Sequence, residues 1–428
     1  MTEYLALLQR NRNFRLLWWG NVISLLGDWF NLIASASLIA SLTDSGVAIS
    51  YLFLVRFVPL FVVSPFAGVV ADRFSRKRIL IASDLLRAVT VLGFLLVRSP
   101  EQVWLLYILT AVQFTLSAFF SPARSALLAN IVAREDLVTA NALDSFTWST
   151  MLALGAFAGG VVAALFGLQT AFIADAVTFV LSAVVIAGIV TPGQARTAVT
   201  TQTGWLDFLD GFRFLRQHTF LLVIALVKAA GSLVWGGINV LEIKYANEIF
   251  ALSDRALPFV KDGATATLGM IYVVSGLGTG LGPLFMRRRL GDRPPRILAG
   301  IAIGFVLTGM GIISLGLAPT LLLFLAATLV RTVGTGTIWV FSAALLQTMT
   351  PDVFRGRVFA FEFAALTLTQ SISVLAAGYG LDNLGWAVQQ VTLAFGVLGF
   401  VMALLWFGFM FTHRTAIRVQ ETWSQEVP

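Results

Sequence analysis

Asp28 is a carboxylate in the middle of a long apolar run, and it has polar company. In NVISLLGDWFNLIAS (21–35) the polar residues Asn21, Ser24, Asp28, Asn31 and Ser35 are spaced 3, 4, 3 and 4. That spacing places all five on one face of an α-helix. A second stripe recurs further along: Lys228, Ser232, Trp235, Asn239 and Glu242 are spaced 4, 3, 4 and 3. A shift of 207 lays Lys228 on Asn21, Trp235 on Asp28 and Glu242 on Ser35. A charge in hydrocarbon costs about 2.5–3.5 kcal/mol on insertion scales. Such faces are therefore expected to turn away from lipid toward a shared, water-accessible cavity. A carboxyl group in a half-dry cavity can exchange a proton against a substrate, so Asp28 is a candidate proton or cation site, with Glu242 or Glu362 as a second carboxylate. Arg56, Arg124, Asp144, Asp175 and Arg331 also fall inside apolar runs, as do Asp84 and Arg87, which are three apart and expected to form a structural pair.

The elements that must hold these residues are membrane spans. The chain has 428 residues, 58% hydrophobic and 12% charged, with a mean hydropathy of +0.86. A soluble domain carries about 25% charged residues, so a water-soluble globule is excluded. Twelve apolar segments stand out, at 16–42, 47–71, 79–98, 102–130, 137–166, 169–190, 219–246, 264–286, 296–317, 320–350, 356–381 and 386–411. Most reach the length of about 20 residues that a bilayer requires. The fold class expected is all-α integral membrane, with an N-terminal six-helix bundle (1–190), a linker (191–218), a C-terminal six-helix bundle (219–411) and a tail (412–428). Within the linker, WLDFLDGFRFLRQH reads either as an amphipathic helix on the membrane surface or as the start of the seventh span.

Charge sets the orientation. Arg10, Arg12, Arg15, Arg73, Arg76, Lys77, Arg78, Arg287, Arg288, Arg289, Arg293, Arg296, Arg355, Arg357, Arg414 and Arg418 fall on one side, against Arg98, Lys244, Arg255 and Lys261 on the other. The richer side is cytoplasmic by the positive-inside rule, so both termini are expected there. The net charge of +7 is thus a topology signal, and nucleic acid is not an expected partner. With no cysteine, disulfides and thiolate metal sites are impossible. His218 and His413 lie in charged segments at helix ends, so no metal site is expected. No phosphate-binding loop occurs, so ATP is not a direct energy source and no cofactor is expected. The first helix, without a cleavage site, is expected to be retained.

The two halves repeat. SALLANIVAREDLVTANA (125–142) matches AALLQTMTPDVFRGRVFA (343–360), and GVVADRFSRKRIL (68–80) matches GPLFMRRRLGDRP (282–294), at similar offsets. Parallel repeats of this kind are a transporter architecture. The loop Gly68-Val-Val-Ala-Asp72-Arg73-Phe-Ser-Arg76-Lys77-Arg78 resembles that of the major facilitator superfamily, with Ser75 where the family usually has glycine. The LGDW of the first span, SPARSALLANIV with LVTANAL (121–143), and GAFAGG with FGLQTAFIADAVTF (155–179) are similar to the macrolide and siderophore exporter branch. Gly155-Ala156 stands where that branch usually has Gly-Pro, and the fourth-span arginine of many proton-coupled members is absent.

The resemblance covers nearly the whole chain and implies two pseudo-symmetric six-helix bundles working by alternating access. It implies a gating network of Gly68, Asp72, Arg73, Arg76 and Arg124, and a cavity lined by helices that carry Asp28, Asn31, Ser24, Arg56, Lys228, Trp235, Asn239, Glu242, Arg331, Trp339 and Glu362. Asp175 would lie outside that cavity, in a structural role. The expected activity is proton-coupled efflux of an amphipathic, drug-like or siderophore-like compound by a monomer in a bacterial inner membrane, in contact with membrane lipid. A lysophospholipid flippase of the same fold and a non-transporting receptor or scaffold are the alternatives.

Overall fold

The computed structural model describes residues 2–133, 136–190, 204–252, 262–291 and 293–413. Among the described residues there are helices and no strands, and twelve helices are long and apolar enough to cross a membrane. A short helix α1 (Thr2–Arg10) precedes the spans α2 (Arg12–Leu42), α3 (Gly46–Arg73), α4 (Arg76–Leu92), α5 (Val103–Ile131), α6 (Leu137–Phe166) and α7 (Leu168–Ala187). Helix α8 (Gly204–Gln217) follows. The seventh span is broken into α9 (Thr219–Trp235) and α10 (Ile238–Lys244), and α11 (Gly263–Leu290), α12 (Pro294–Leu317), α13 (Leu321–Met349), α14 (Asp352–Asp382) and α15 (Val388–Thr412) complete the chain. Large apolar side chains such as Val89, Leu322 and Leu404 are exposed, as lipid-facing positions must be.

Two compact units emerge. One comprises Met1–Asp44, Tyr51–Trp205 and Ala246–Val273; the other comprises Ser45–Ser50, Leu206–Tyr245 and Val274–Pro428. The units follow the two halves of the sequence apart from two exchanges: the first turn of α3 goes with the second unit, and the start of α11 with the first. Leu7, Phe14, Leu17, Leu80, Phe120 and Leu127 build a core in the first unit. Ile224, Phe305, Ile338, Phe341, Leu345 and Trp406 do so in the second.

In the first unit the polar loop residues satisfy helix ends. The last carbonyls of a helix lack intrahelical partners. Asn11 caps α2 by accepting from the Phe14 amide (2.9 Å) and donates to the Ile131 carbonyl at the end of α5 (2.7 Å). Arg76 donates to the Ala126 carbonyl of α5 (3.0 Å), and Lys77 to the Ile189 carbonyl just beyond α7 (2.7 Å). Asn13 both donates to and accepts from the backbone of Val190. The loop cations therefore neutralise helix C-terminal dipoles.

In the second unit, α8 does not stand apart on a surface. Leu215 is buried in the unit's core, Phe214 stacks on Phe354 with ring centres 4.4 Å apart, and Phe212 stacks on Phe361 at 5.6 Å. Gly211 lies so close to Arg357 that a Cβ there would meet its backbone at 2.8 Å. The polar stretch 191–203 and the tail from 414 lie outside the described residues.

Candidate functional site

Each unit holds a cluster of buried charge. In the first, the α2 stripe divides. Asn21, Ser24, Asn31 and Ser35 are buried, while Asp28 is half-buried. Ser24 accepts from Arg87 of α4 (3.4 Å), and Ser35 donates to Asn31 Oδ1 (3.3 Å). Asp84 and Arg87 form the i,i+3 ion pair that their spacing predicts. Both are buried, and Ser182 of α7 adds a donor to Asp84 Oδ2 (2.7 Å). The Arg87 guanidinium is sandwiched between Phe120 and Phe179, 4.6 and 4.3 Å from the ring centres, where cation–π attraction offsets part of its desolvation.

Three further charges in this unit are less well held. Arg56 of α3 is buried with its guanidinium 4.5 Å over the Phe114 ring, and its Nη1 has no hydrogen-bond partner. Asp28 makes no hydrogen bond or salt bridge among the described residues, but it lies in the field of Arg87 and Arg56. Asp175 of α7 is fully buried, and neither carboxyl oxygen has a hydrogen bond of good geometry. Arg124 pairs with Asp144 of α6 at 2.6 Å, tying α5 to α6.

In the second unit every buried charge singled out by the sequence has a partner of opposite sign. Lys228 of α9 bonds Glu362 of α14 at 3.0 Å, with its ammonium 4.6 Å over the Trp339 ring of α13. Arg331 of α13 pairs with Glu242 of α10 and also reaches Ser275 Oγ (3.4 Å). The stripe on the seventh span is interrupted. Ser373 of α14 accepts from the Gly237 amide and donates to the Leu233 carbonyl, both at 2.8 Å. A side chain inserted into the helix ladder breaks it, and only glycine fits at 237, since a Cβ would meet Phe395 at 2.5 Å. Past the break, the Gly236 carbonyl accepts from both the backbone amide (3.3 Å) and the side-chain Nδ2 (3.0 Å) of Asn239. Trp235 is half-buried with its ring folded over Gly231 of its own helix. Trp339 is exposed apart from its contact with Lys228.

The pattern of the Major Facilitator Superfamily matches residues 17–263 and 256–426. The chain belongs to this superfamily. Among its relatives, the uncharacterized MFS-type transporter YfiS of Bacillus subtilis (strain 168) is 29% identical over 396 residues, covering 90% of this chain and 89% of the relative. Macrolide efflux protein A of Streptococcus pyogenes is 22% identical over 388 residues, covering 89% of this chain and 93% of that protein. The crystal structure of a point mutant of nucleoside transporter NupG superposes with a TM-score of 0.73 at 14% identity, over 92% of this chain and 99% of that one, which establishes the shared fold. The chain is thus a multi-pass membrane transporter rather than an enzyme. In the superfamily's loop motif, Arg73 is exposed and Arg76 bonds α5; the surroundings of Gly68 and the side chain of Asp72 lie outside what is described.

Two features show only in the structure. Asp175 has Thr178 and Ser182 at helical spacing, but its full burial follows from the packing of α7 on α2. The break of the seventh span depends on Ser373, far along the chain; the paired glycines at 236 and 237 were its local trace.

Proposed function

We propose that this transporter exports an amphipathic, drug-like or siderophore-like compound from the cytoplasm in exchange for protons, by alternating access. It acts as a monomer in the inner membrane of a bacterium, with both termini in the cytoplasm. The observation that carries this reading is Asp28: a half-buried carboxylate on a membrane-spanning helix, near two arginines yet bonded to neither. A carboxylate kept only for structure is paired, as Asp84 is; one left partly exposed can bind a proton or a cationic group and release it. The similarity to macrolide efflux protein A supports export, and the Lys and Arg bias supports the orientation. Lys228, Trp339 and Glu362, with Arg331 and Glu242, supply the polar and aromatic groups that the substrate would meet in the second unit.

Inverted membrane vesicles provide the test. With an acid interior, vesicles carrying the protein should accumulate macrolides or amphipathic cations, and collapse of the pH gradient should stop accumulation. Accumulation that ignores the gradient would overturn proton coupling. Movement of lysophospholipid in place of these solutes would favour a flippase, and no movement of any solute would favour a scaffold.

A further inference from the structure

The two charge clusters differ in balance. In the second unit Lys228 and Arg331 meet Glu362 and Glu242, and the charges cancel. In the first unit the charged groups facing one another are Asp28 on α2, Arg56 on α3, Asp84 and Arg87 on α4, and Asp175 on α7. That is three carboxyl groups against two guanidinium groups. Arg87 is taken up by Asp84, so Asp28 and Asp175 are left with Arg56. Two carboxylates sharing one cation in a low-dielectric interior do not both ionise.

The geometry distinguishes the two. Asp28 is half-buried. Asp175 is 0% exposed, and both of its oxygens are sealed, with no hydrogen bond of good geometry. Ionised carboxylates offer about four lone-pair sites, and a buried one so short of donors sheds its charge by taking a proton. Asp175 Oδ1 lies against the backbone of α2 at Gly27, in the space that a Cβ there would fill. The next residue along α2 is Asp28. One turn further on, the buried Asn31 side-chain amide lies beside Asp175 and is the donor available to it.

We propose that Asp175 is a proton-binding site, which holds the excess proton of the cluster, and that Asp28 is the port through which this proton is exchanged. In the exchange the O–H bond at Asp175 breaks and an O–H bond forms at Asp28. Asp175 is left as a carboxylate facing Arg56 and Arg87. The net charge of the cluster is unchanged until Asp28 passes the proton to water. Gly27 permits the approach, because any side chain there would push the two helices apart. The role in coupling rests on the export reading; the proton site itself does not.

Infrared spectroscopy of the purified protein at neutral pH tests the site. The wild type should show the carbonyl stretch of a protonated carboxylic acid, and Asp175→Asn should lose it. Charge counting adds two further expectations. Asp28→Asn restores balance, so Asp175 should ionise and the band should vanish. Arg56→Gln deepens the excess, so the band should grow. Should Asp175→Asn fold poorly, the Asp28 and Arg56 variants carry the test by themselves. Absence of the band from the wild type, or its survival in Asp175→Asn, would overturn the site. The coupling role is read in acid-interior inverted vesicles, where Asp175→Asn should lose gradient-driven accumulation. Wild-type accumulation in that variant, with the band gone, would overturn the coupling role. A wild type that accumulates nothing, with the band lost in Asp175→Asn, would overturn the export reading and uphold the proton site.

Discussion

At the scale of single residues, pairing separates groups that stabilise the fold from groups free to react. Glu362 is bonded to Lys228, which is buried beneath Trp339. Glu362→Gln leaves a buried ammonium without its counter-charge, a change that costs about 3–5 kcal/mol when a buried pair is broken. A clear fall in melting temperature in detergent is expected, together with reduced export. Asp28 has no such partner, so Asp28→Asn should melt within a few degrees of the wild type while gradient-driven export is lost. An unstable Asp28→Asn that still exports would reverse the assignment and make Asp28 structural. The polar face carrying Asp28 was legible because five residues at helical spacing cannot all be accidental in an apolar run. The expected company of Asp28 was less so. Ser24 and Asn31 are sealed among α4 and α7, because the same face serves both bundle packing and the half-buried acid. Asp175, given a structural role by its position on the sixth span, is fully buried with Oδ1 against α2 at Gly27.

At the scale of elements, helix ends and helix breaks decide what holds. The first turn of α3 is tied to the last residue of α14. Asp382 accepts from Ser45 Oγ (2.5 Å) and from the amides of Gly46 (2.8 Å) and Val47 (3.0 Å). Ser50 Oγ also donates to the Val374 carbonyl (2.6 Å), and a Cβ at Gly378 would meet the Gly46 carbonyl at 2.8 Å. The carboxylate satisfies amides that a helix N-terminus leaves open, and it lies at the positive end of the helix dipole. Loss of an N-terminal cap costs about 0.5–2 kcal/mol. Asp382→Ala should therefore speed hydrogen exchange at Gly46 and Val47 selectively, leaving the Phe14 amide, capped by Asn11, at its wild-type rate. Uniform or unchanged exchange would mean that this junction is held by close packing instead. None of this was legible locally: Asp382 sits at the end of an unremarkable apolar run, and its partners are more than three hundred residues away. The spans themselves were legible, since length and hydropathy alone place their boundaries to within a few residues. In α8 Leu215 is buried while Leu209 is exposed, so the apolar pattern alone does not mark the packed face. What covers that face, the start of α14 with Phe354, Phe361 and Arg357, depends on tertiary contacts that periodicity does not encode.

At the scale of the whole molecule, the question is which end faces the cytoplasm, because the direction of transport is measured against it. The basic loops do more than count toward the positive-inside rule. In the first unit Arg10 pairs with Asp136, Arg76 bonds the Ala126 carbonyl in the last two turns of α5, Lys77 and Asn13 bond carbonyls just beyond α7, and Asn11 bonds the last residue of α5. The cations are therefore gathered at one end of that unit by their own hydrogen bonds. The basic run Arg287–Arg289 closes α11 in the second unit. An impermeant thiol reagent reads the orientation directly, since the chain has no cysteine of its own. On intact cells, Glu101→Cys before α5 and Pro319→Cys between α12 and α13 should be labelled, both at exposed positions. Gln9→Cys and Arg288→Cys, also exposed, should react only once the cells are opened. The reverse pattern would place the basic ends outside. It would also turn accumulation in inverted vesicles from evidence of export into evidence of uptake, so this labelling should precede any flux measurement.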